Sequence, residues 1–178
     1  MVYASSMENF TINKKDYSDF AASLKQISPK GIYPVLEEIN KFVENQFRWS
    51  GHFEKNRISQ DLLSSVGVQS TIVNGKLKIE GKQESHPFNL IDYKHSKILF
   101  DPANPLYYKV GEKVYSAAAV MPNVSFGIST VFDPNFVKEK IKNSNHIDDK
   151  FDRLFDRKNP KREYFYPEKF TQKEKEYI

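Results

Sequence analysis

The sequence has no cysteine and is poor in glycine and proline. The absence of cysteine excludes disulfide bonds, thiolate zinc sites, iron–sulfur clusters and a thiol nucleophile. Glycine and proline number only 7 and 9 among 178 residues, which excludes a collagen-like or low-complexity chain. No apolar run approaches the roughly 18–20 residues that span a bilayer, so we expect no membrane partner.

The sequence also has only a small excess of positive over negative charge. Lysine and arginine total 27 against 23 acidic residues, for a net charge of +4. A clustered stripe of basic residues is typical of nucleic-acid-binding proteins. The sequence has no such stripe outside the C-terminal tail, so we do not expect a nucleic-acid partner. Residues 1–13 lack a basic segment followed by an apolar one. We therefore expect a cytoplasmic protein, and export by a signal-independent route stays open.

The spacing of apolar residues predicts three helices early in the chain. Apolar positions recur at intervals of three and four residues over 16–27, 34–48 and 53–66. Pro34 suits the first turn of the second helix, and Gly67 suits the C-terminal cap of the third.

A period of two residues follows and predicts antiparallel strands. These strands cover residues 68–73, 77–79, 87–93, 97–100, 113–120 and 124–132. Asn74-Gly75 predicts the first hairpin turn, and Lys94-His95-Ser96 predicts the next. Helices, then strands, then a helical pattern from residue 134 indicate an α+β fold. We divide the chain into an extension over 1–15, a domain over 16–132, and a C-terminal helical extension with an exposed tail over 133–178.

The residues with the clearest chemical potential are His86 and Asp101. The first begins one predicted strand and the second ends the next, so the hairpin turning near His95 brings them side by side. A carboxylate there accepts a hydrogen bond from the imidazole and fixes its tautomer. Pro102 is expected to end the strand at this point, because proline cannot donate to a ladder.

Around these residues the sequence resembles the transglutaminase-like superfamily of papain-like cysteine enzymes. The resemblance covers about residues 35–105. It rests on a helix that ends in Gly67-Val68, on His86-Pro87-Phe88-Asn89, and on Asp101-Pro102-Ala103-Asn104. The resemblance implies N-terminal helices packed on an antiparallel sheet, with His86 as a catalytic base and Asp101 as its orienting partner.

The family's nucleophilic cysteine is missing at the position where the resemblance implies it. That position, at the start of the third helix, holds His52, and Gln46 lies upstream where a papain-like enzyme has an oxyanion-binding glutamine. His52 has three interpretations: a buried or capping polar residue, a replacement catalytic group, or a metal ligand with His86 and Asp101. Ser50 and Ser59 are weaker candidate nucleophiles, since no Gly-x-Ser-x-Gly elbow supports them.

We therefore predict a transglutaminase-like protein that lacks the cysteine nucleophile and acts as a catalytically inactive binding module. The predicted partner is a protein or peptide, and we predict neither a cofactor nor a bound metal. The alternative is an active amide-bond hydrolase or acyltransferase of the cysteine-protease, deamidase or transglutaminase type. Its nucleophile position would be substituted or engineered, and it would use the His86–Asp101 pair.

Overall fold

The computed structural model describes residues 14–110, 113–124, 130–131 and 162–165. Within these ranges three helices come first, followed by six strands. The helices are α1 (Lys14–Ile27), α2 (Ile32–Gln46) and α3 (His52–Ser65), with a 3₁₀ turn, Ser28–Lys30, between the first two. The strands are β1 (Ser70–Ile79), β2 (Lys82–Tyr93), β3 (Ser96–Val110), β4 (Lys113–Met121), β5 (Thr130–Val131) and β6 (Arg162–Phe165). The predicted α+β class is confirmed.

The strands form one antiparallel sheet in the order β4-β3-β2-β1-β6-β5. Helices α2 and α3 pack against the sheet, and their apolar stripes meet its inward-facing residues. Ile39 and Leu62 are fully buried on these helices, as is Phe100 on β3. Phe20 of α1 stacks on Phe42 of α2 at 4.2 Å between ring centroids, so α1 packs against α2. None of the helices described above is long and apolar enough to cross a bilayer.

The first hairpin turn lies at Glu80-Gly81, and the turn predicted at Asn74-Gly75 is wrong. Strand β1 runs straight through residues 74 and 75, which pair with Pro87 and His86 of β2. Glu80 and Gly81 have φ angles of +49° and +81°, the combination that a tight two-residue hairpin needs. The second turn lies where it was predicted, because Lys94 and His95 also have positive φ angles.

Gly75 has a packing role in the middle of β1. A β-carbon at this position would lie 2.6 Å from Cε1 of Phe88 and 2.7 Å from the backbone oxygen of Phe165. The missing side chain therefore lets β2 and β6 approach β1 closely, which is the usual reason for a glycine inside a strand.

Gly75→Ala is expected to lower the free energy of unfolding by about 1–3 kcal/mol, because the added methyl group overpacks this point. The Phe88 ring is fully buried and the Phe165 oxygen belongs to the backbone, so neither can move aside easily. Urea denaturation measures the loss, with Lys78→Ala at an exposed position of β1 as the control. An equal, small change in both variants would contradict the close approach.

Strand β3 does not end at Pro102, so that prediction is wrong. Pairing with β4 continues to Val110, with a register shift between Asp101 and Leu106. Pro102 and Pro105 cannot donate to the ladder, and the chain accommodates them as an irregular bulge before regular pairing resumes. The irregular stretch begins directly after Asp101, which belongs to the candidate site.

A strand from the C-terminal part of the chain completes the region around β1. Strand β6 lies between β1 and β5, and its Tyr164 side chain is fully buried. This differs from the exposed extension that was predicted over these four residues. The helix predicted after residue 134 and residues 125–129 of the last predicted strand lie outside the described residues. So do residues 1–13 of the extension predicted over 1–15, whose last two residues begin α1. Val124 precedes β5 without belonging to a strand.

Candidate functional site

His86 and Asp101 form a buried hydrogen-bonded pair. They lie just beyond Asn89↔Phe100, the end of the regular β2–β3 pairing. The distance from His86 Nε2 to Asp101 Oδ2 is 2.7 Å, and both side chains are completely shielded from solvent. The carboxylate therefore holds a proton on Nε2 of the imidazole, as the strand spacing predicts.

Asp101 receives two further hydrogen bonds that the sequence did not reveal. The Tyr164 hydroxyl donates to Oδ2 at 2.8 Å, and the backbone N–H of Ala103 donates to Oδ1 at 3.1 Å. Burial, and then the negative charge of Asp101, hold the pKa of Tyr164 well above its usual value, so the phenol stays protonated and remains a donor. Three donors thus satisfy a carboxylate that would be costly to bury alone.

His52 begins α3 and lies beside the buried pair. Its ring contacts that of His86 edge-on, with 4.8 Å between centroids. Burial, and then the neighbouring His86, lower the pKa of His52, while Asp101 and Glu84 oppose that shift. His52 is exposed to solvent, whereas the His86 ring that it contacts is fully buried.

Two asparagines connect α3 to β2 and set the position of His52. The Asn56 amide donates to the carbonyl of His52 at 2.8 Å and to that of Pro87 at 2.9 Å. The Asn89 amide in turn donates to Asn56 Oδ1 at 2.8 Å and to the Asn56 carbonyl at 3.0 Å. Both asparagines are fully buried. The first helical turn is therefore tied to the strand that carries His86.

His86 keeps one ring nitrogen without a hydrogen bond. In the part of the chain that the structure describes, Nδ1 is buried and has no partner. Because Asp101 holds the proton on Nε2, a neutral His86 presents a lone pair at Nδ1. This atom is where a reacting proton or another electron-pair acceptor would meet the imidazole.

The other predicted residues are not part of this cluster. Gln46 ends α2 with an exposed side chain, and the hydrogen bonds described above do not involve it. Ser59 is buried and donates to the carbonyl of Lys55, one turn earlier in α3. Ser50 is buried as well, and among the described residues its Oγ has no hydrogen-bond partner, His86 included.

Sequence reasoning missed Tyr164 and Asn56. Tyr164 lies in a short run of aromatic and charged residues whose pairing partner is far away in sequence, so no local pattern identified it. Asn56 sits inside a helix, where polar residues are usually solvent-exposed. In the described ranges, no group of three or more histidine and acidic side chains is arranged to hold a metal ion.

Fold and site together define an α+β protein with a shielded His–Asp–Tyr network beneath a second histidine. No protein-family model matches the chain, and no curated protein or solved structure is significantly similar to it.

Proposed function

We propose that this protein has a transglutaminase-like fold and is a catalytically inactive member that acts as a binding module for a protein or peptide. One observation carries the proposal: the His52 ring lies at the start of α3, 4.8 Å from the ring of the Asp101-bound His86. In a cysteine enzyme of this type, the nucleophile occupies the same place relative to a histidine and an aspartate.

The order of the elements supports this interpretation. A helix that begins at position 52, a strand with His86 and a strand with Asp101 follow one another along the chain. The geometry required of a triad is a nucleophile next to a base, and a base oriented by a third group. His86 and Asp101 meet the second requirement at 2.7 Å.

The chemistry at position 52 argues against acyl transfer. Imidazole has neither the hydroxyl nor the thiol proton that His86 would remove from a nucleophile. His86 and Asp101 also have no exposed side-chain surface, so a substrate carbonyl cannot reach the base in this conformation. A surface that binds without reacting is the function most consistent with this arrangement.

Introducing the missing thiol tests the proposal. In a His52→Cys variant, the helix N-terminus and His86 are expected to lower the pKa of the new thiol below its usual value of about 8.5. Alkylation by iodoacetamide at pH 6 should then be at least about tenfold faster than in a His52→Cys/His86→Ala double variant. Rates are measured by mass spectrometry of the intact protein.

Two results would count against the proposal. Equal alkylation rates in the two variants would mean that position 52 and His86 do not form a triad-like arrangement. Ammonia release from a glutamine-containing peptide by the unaltered chain, abolished in His86→Ala, would favour the alternative of an active amide-bond hydrolase or acyltransferase. The expected result is no release above the rate of a protein-free control.

A further inference from the structure

The unpartnered nitrogen of His86 is a buried electron-pair donor with no assigned role. Leaving a buried acceptor unsatisfied is costly, by about 1–3 kcal/mol, and the described residues provide no hydrogen bond for it. The other ring nitrogen is engaged by Asp101, so the tautomer is fixed with the lone pair on Nδ1. A neutral imidazole oriented by a carboxylate on its far side is the usual form of a metal-ligating histidine.

A second imidazole lies at a suitable distance. With metal–nitrogen bonds of about 2.0–2.1 Å, two imidazoles that share one ion at near-tetrahedral angles have ring centroids roughly 5 Å apart. The His52 and His86 centroids are 4.8 Å apart. His52 is exposed at the first position of α3, so its ring can rotate to direct a nitrogen toward His86 while the backbone stays tied to Asn56.

We propose that His52 and Nδ1 of His86 bind one divalent first-row transition-metal ion, such as Zn²⁺ or Cu²⁺, with Asp101 orienting His86 from behind. Imidazole is a ligand suited to these ions. Asp101 is a positioning residue here and not a ligand, because His86 and Tyr164 occupy its Oδ2 and Ala103 its Oδ1. This site goes beyond the proposed function and does not depend on the transglutaminase-like interpretation.

The described residues supply two ligands, which leaves the remaining coordination positions for other donors. Within the ranges that the structure describes, no third histidine or acidic side chain completes the set. An ion held in this way keeps water or accepts a donor atom from a bound partner, as open metal sites do. Such an ion would let a binding module recognise an imidazole or a carboxylate of another molecule.

The chain carries a convenient reporter of this site. Trp49 is the sole tryptophan, lies three positions before His52 and is 90% exposed. Bound Cu²⁺ is expected to quench its fluorescence, so titration of the tag-free full chain with CuCl₂ measures the affinity. Competition with ZnCl₂ then shows whether zinc takes the same site, and electron paramagnetic resonance of the Cu²⁺ form shows whether two nitrogens coordinate.

The variants separate this site from general surface binding. His52→Ala, at an exposed position, is expected to weaken Cu²⁺ binding at least tenfold. Asp101→Asn is expected to weaken it by about 10–100-fold, the usual effect of losing an orienting carboxylate. The matched control is His95→Ala/His146→Ala, which removes the two other histidines of the chain and should keep the original affinity.

Several results would overturn the proposal. Unchanged affinity in His52→Ala, loss of binding in the His95→Ala/His146→Ala control, or a nitrogen count below two would each do so, as would the absence of quenching. His86→Ala is compared by circular dichroism before titration, and His52→Ala decides the question if that variant unfolds. Failure of the thiol experiment above would leave this site unaffected, since the two measurements use different variants and probes.

Discussion

Asp101→Ala is expected to lower the free energy of unfolding by about 3 kcal/mol or more, because each buried donor left without its acceptor costs about 1–3 kcal/mol. The substitution leaves three donors without their acceptor: His86 Nε2, the Tyr164 hydroxyl and the Ala103 N–H. All of these groups are buried, so bulk solvent does not hydrate the donors that lose the carboxylate. The substitution therefore removes the hydrogen bonds by which Asp101 connects β2, β3 and β6.

Urea denaturation followed by far-ultraviolet circular dichroism measures this loss. Asp92→Ala is the matched control, because Asp92 also lies in the β2–β3 hairpin and pairs with Lys97 at 2.6 Å on the protein surface. Surface ion pairs contribute about 0–1 kcal/mol, and the control should change by no more than that. A loss below about 1 kcal/mol in Asp101→Ala would mean that the buried network is not a stabilising unit.

Tyr164→Ala is expected to destabilise the protein by about 3–5 kcal/mol, as large aromatic truncations in a core do. The ring packs edge-on against Phe88 with 5.5 Å between centroids, and the hydroxyl reaches Asp101. Strand β6 pairs with four residues of β1, Lys76–Ile79, and with the two residues of β5, so the buried Tyr164 side chain adds to a short ladder on each side. Removing the Tyr164 side chain should open the His86–Asp101 pair to solvent.

Tyr164→Phe separates the two contributions of this residue. The variant keeps the ring and removes the hydroxyl with its hydrogen bonds to Asp101 and Asn104, and losing the bond to the charged carboxylate alone is expected to cost about 1.5–3 kcal/mol. Hydrogen exchange of the amides of residues 76–79 should speed up in Tyr164→Ala and change much less in Tyr164→Phe. Equal exchange in the alanine variant and the unaltered chain would show that β6 is held by other contacts.

Local sequence patterns predicted the helices well because each signal lies within one element. The apolar stripe of α2 and the glycine after α3 depend on the helical period and on a cap. The Lys94-His95 turn was predicted for the same reason, since a turn is a property of a few adjacent residues. Asn74-Gly75 has the sequence of a turn, yet the contacts of Gly75 with Phe88 and Phe165 keep it inside a strand.

The contacts of the candidate site also divide into those that the sequence predicted and those that it did not. The pairing of His86 with Asp101 follows from the length of one hairpin, so the spacing along the chain was sufficient. The Asn56–Asn89 link joins a helix to a strand, and the Tyr164 contact joins segments 63 positions apart. The spacing of residues along the chain does not predict contacts of this kind, because they depend on how separate elements pack.

The missing cysteine is what the sequence by itself determined about this protein, because composition alone excludes a thiol anywhere in the chain. The sequence also determined an α+β class and a His–Asp pair, since periodicity and hairpin length are local. Only the tertiary structure decided what surrounds that pair. Packing buried it beside Tyr164 and brought the His86 ring next to that of His52, because burial and proximity arise from contacts between elements distant in the chain.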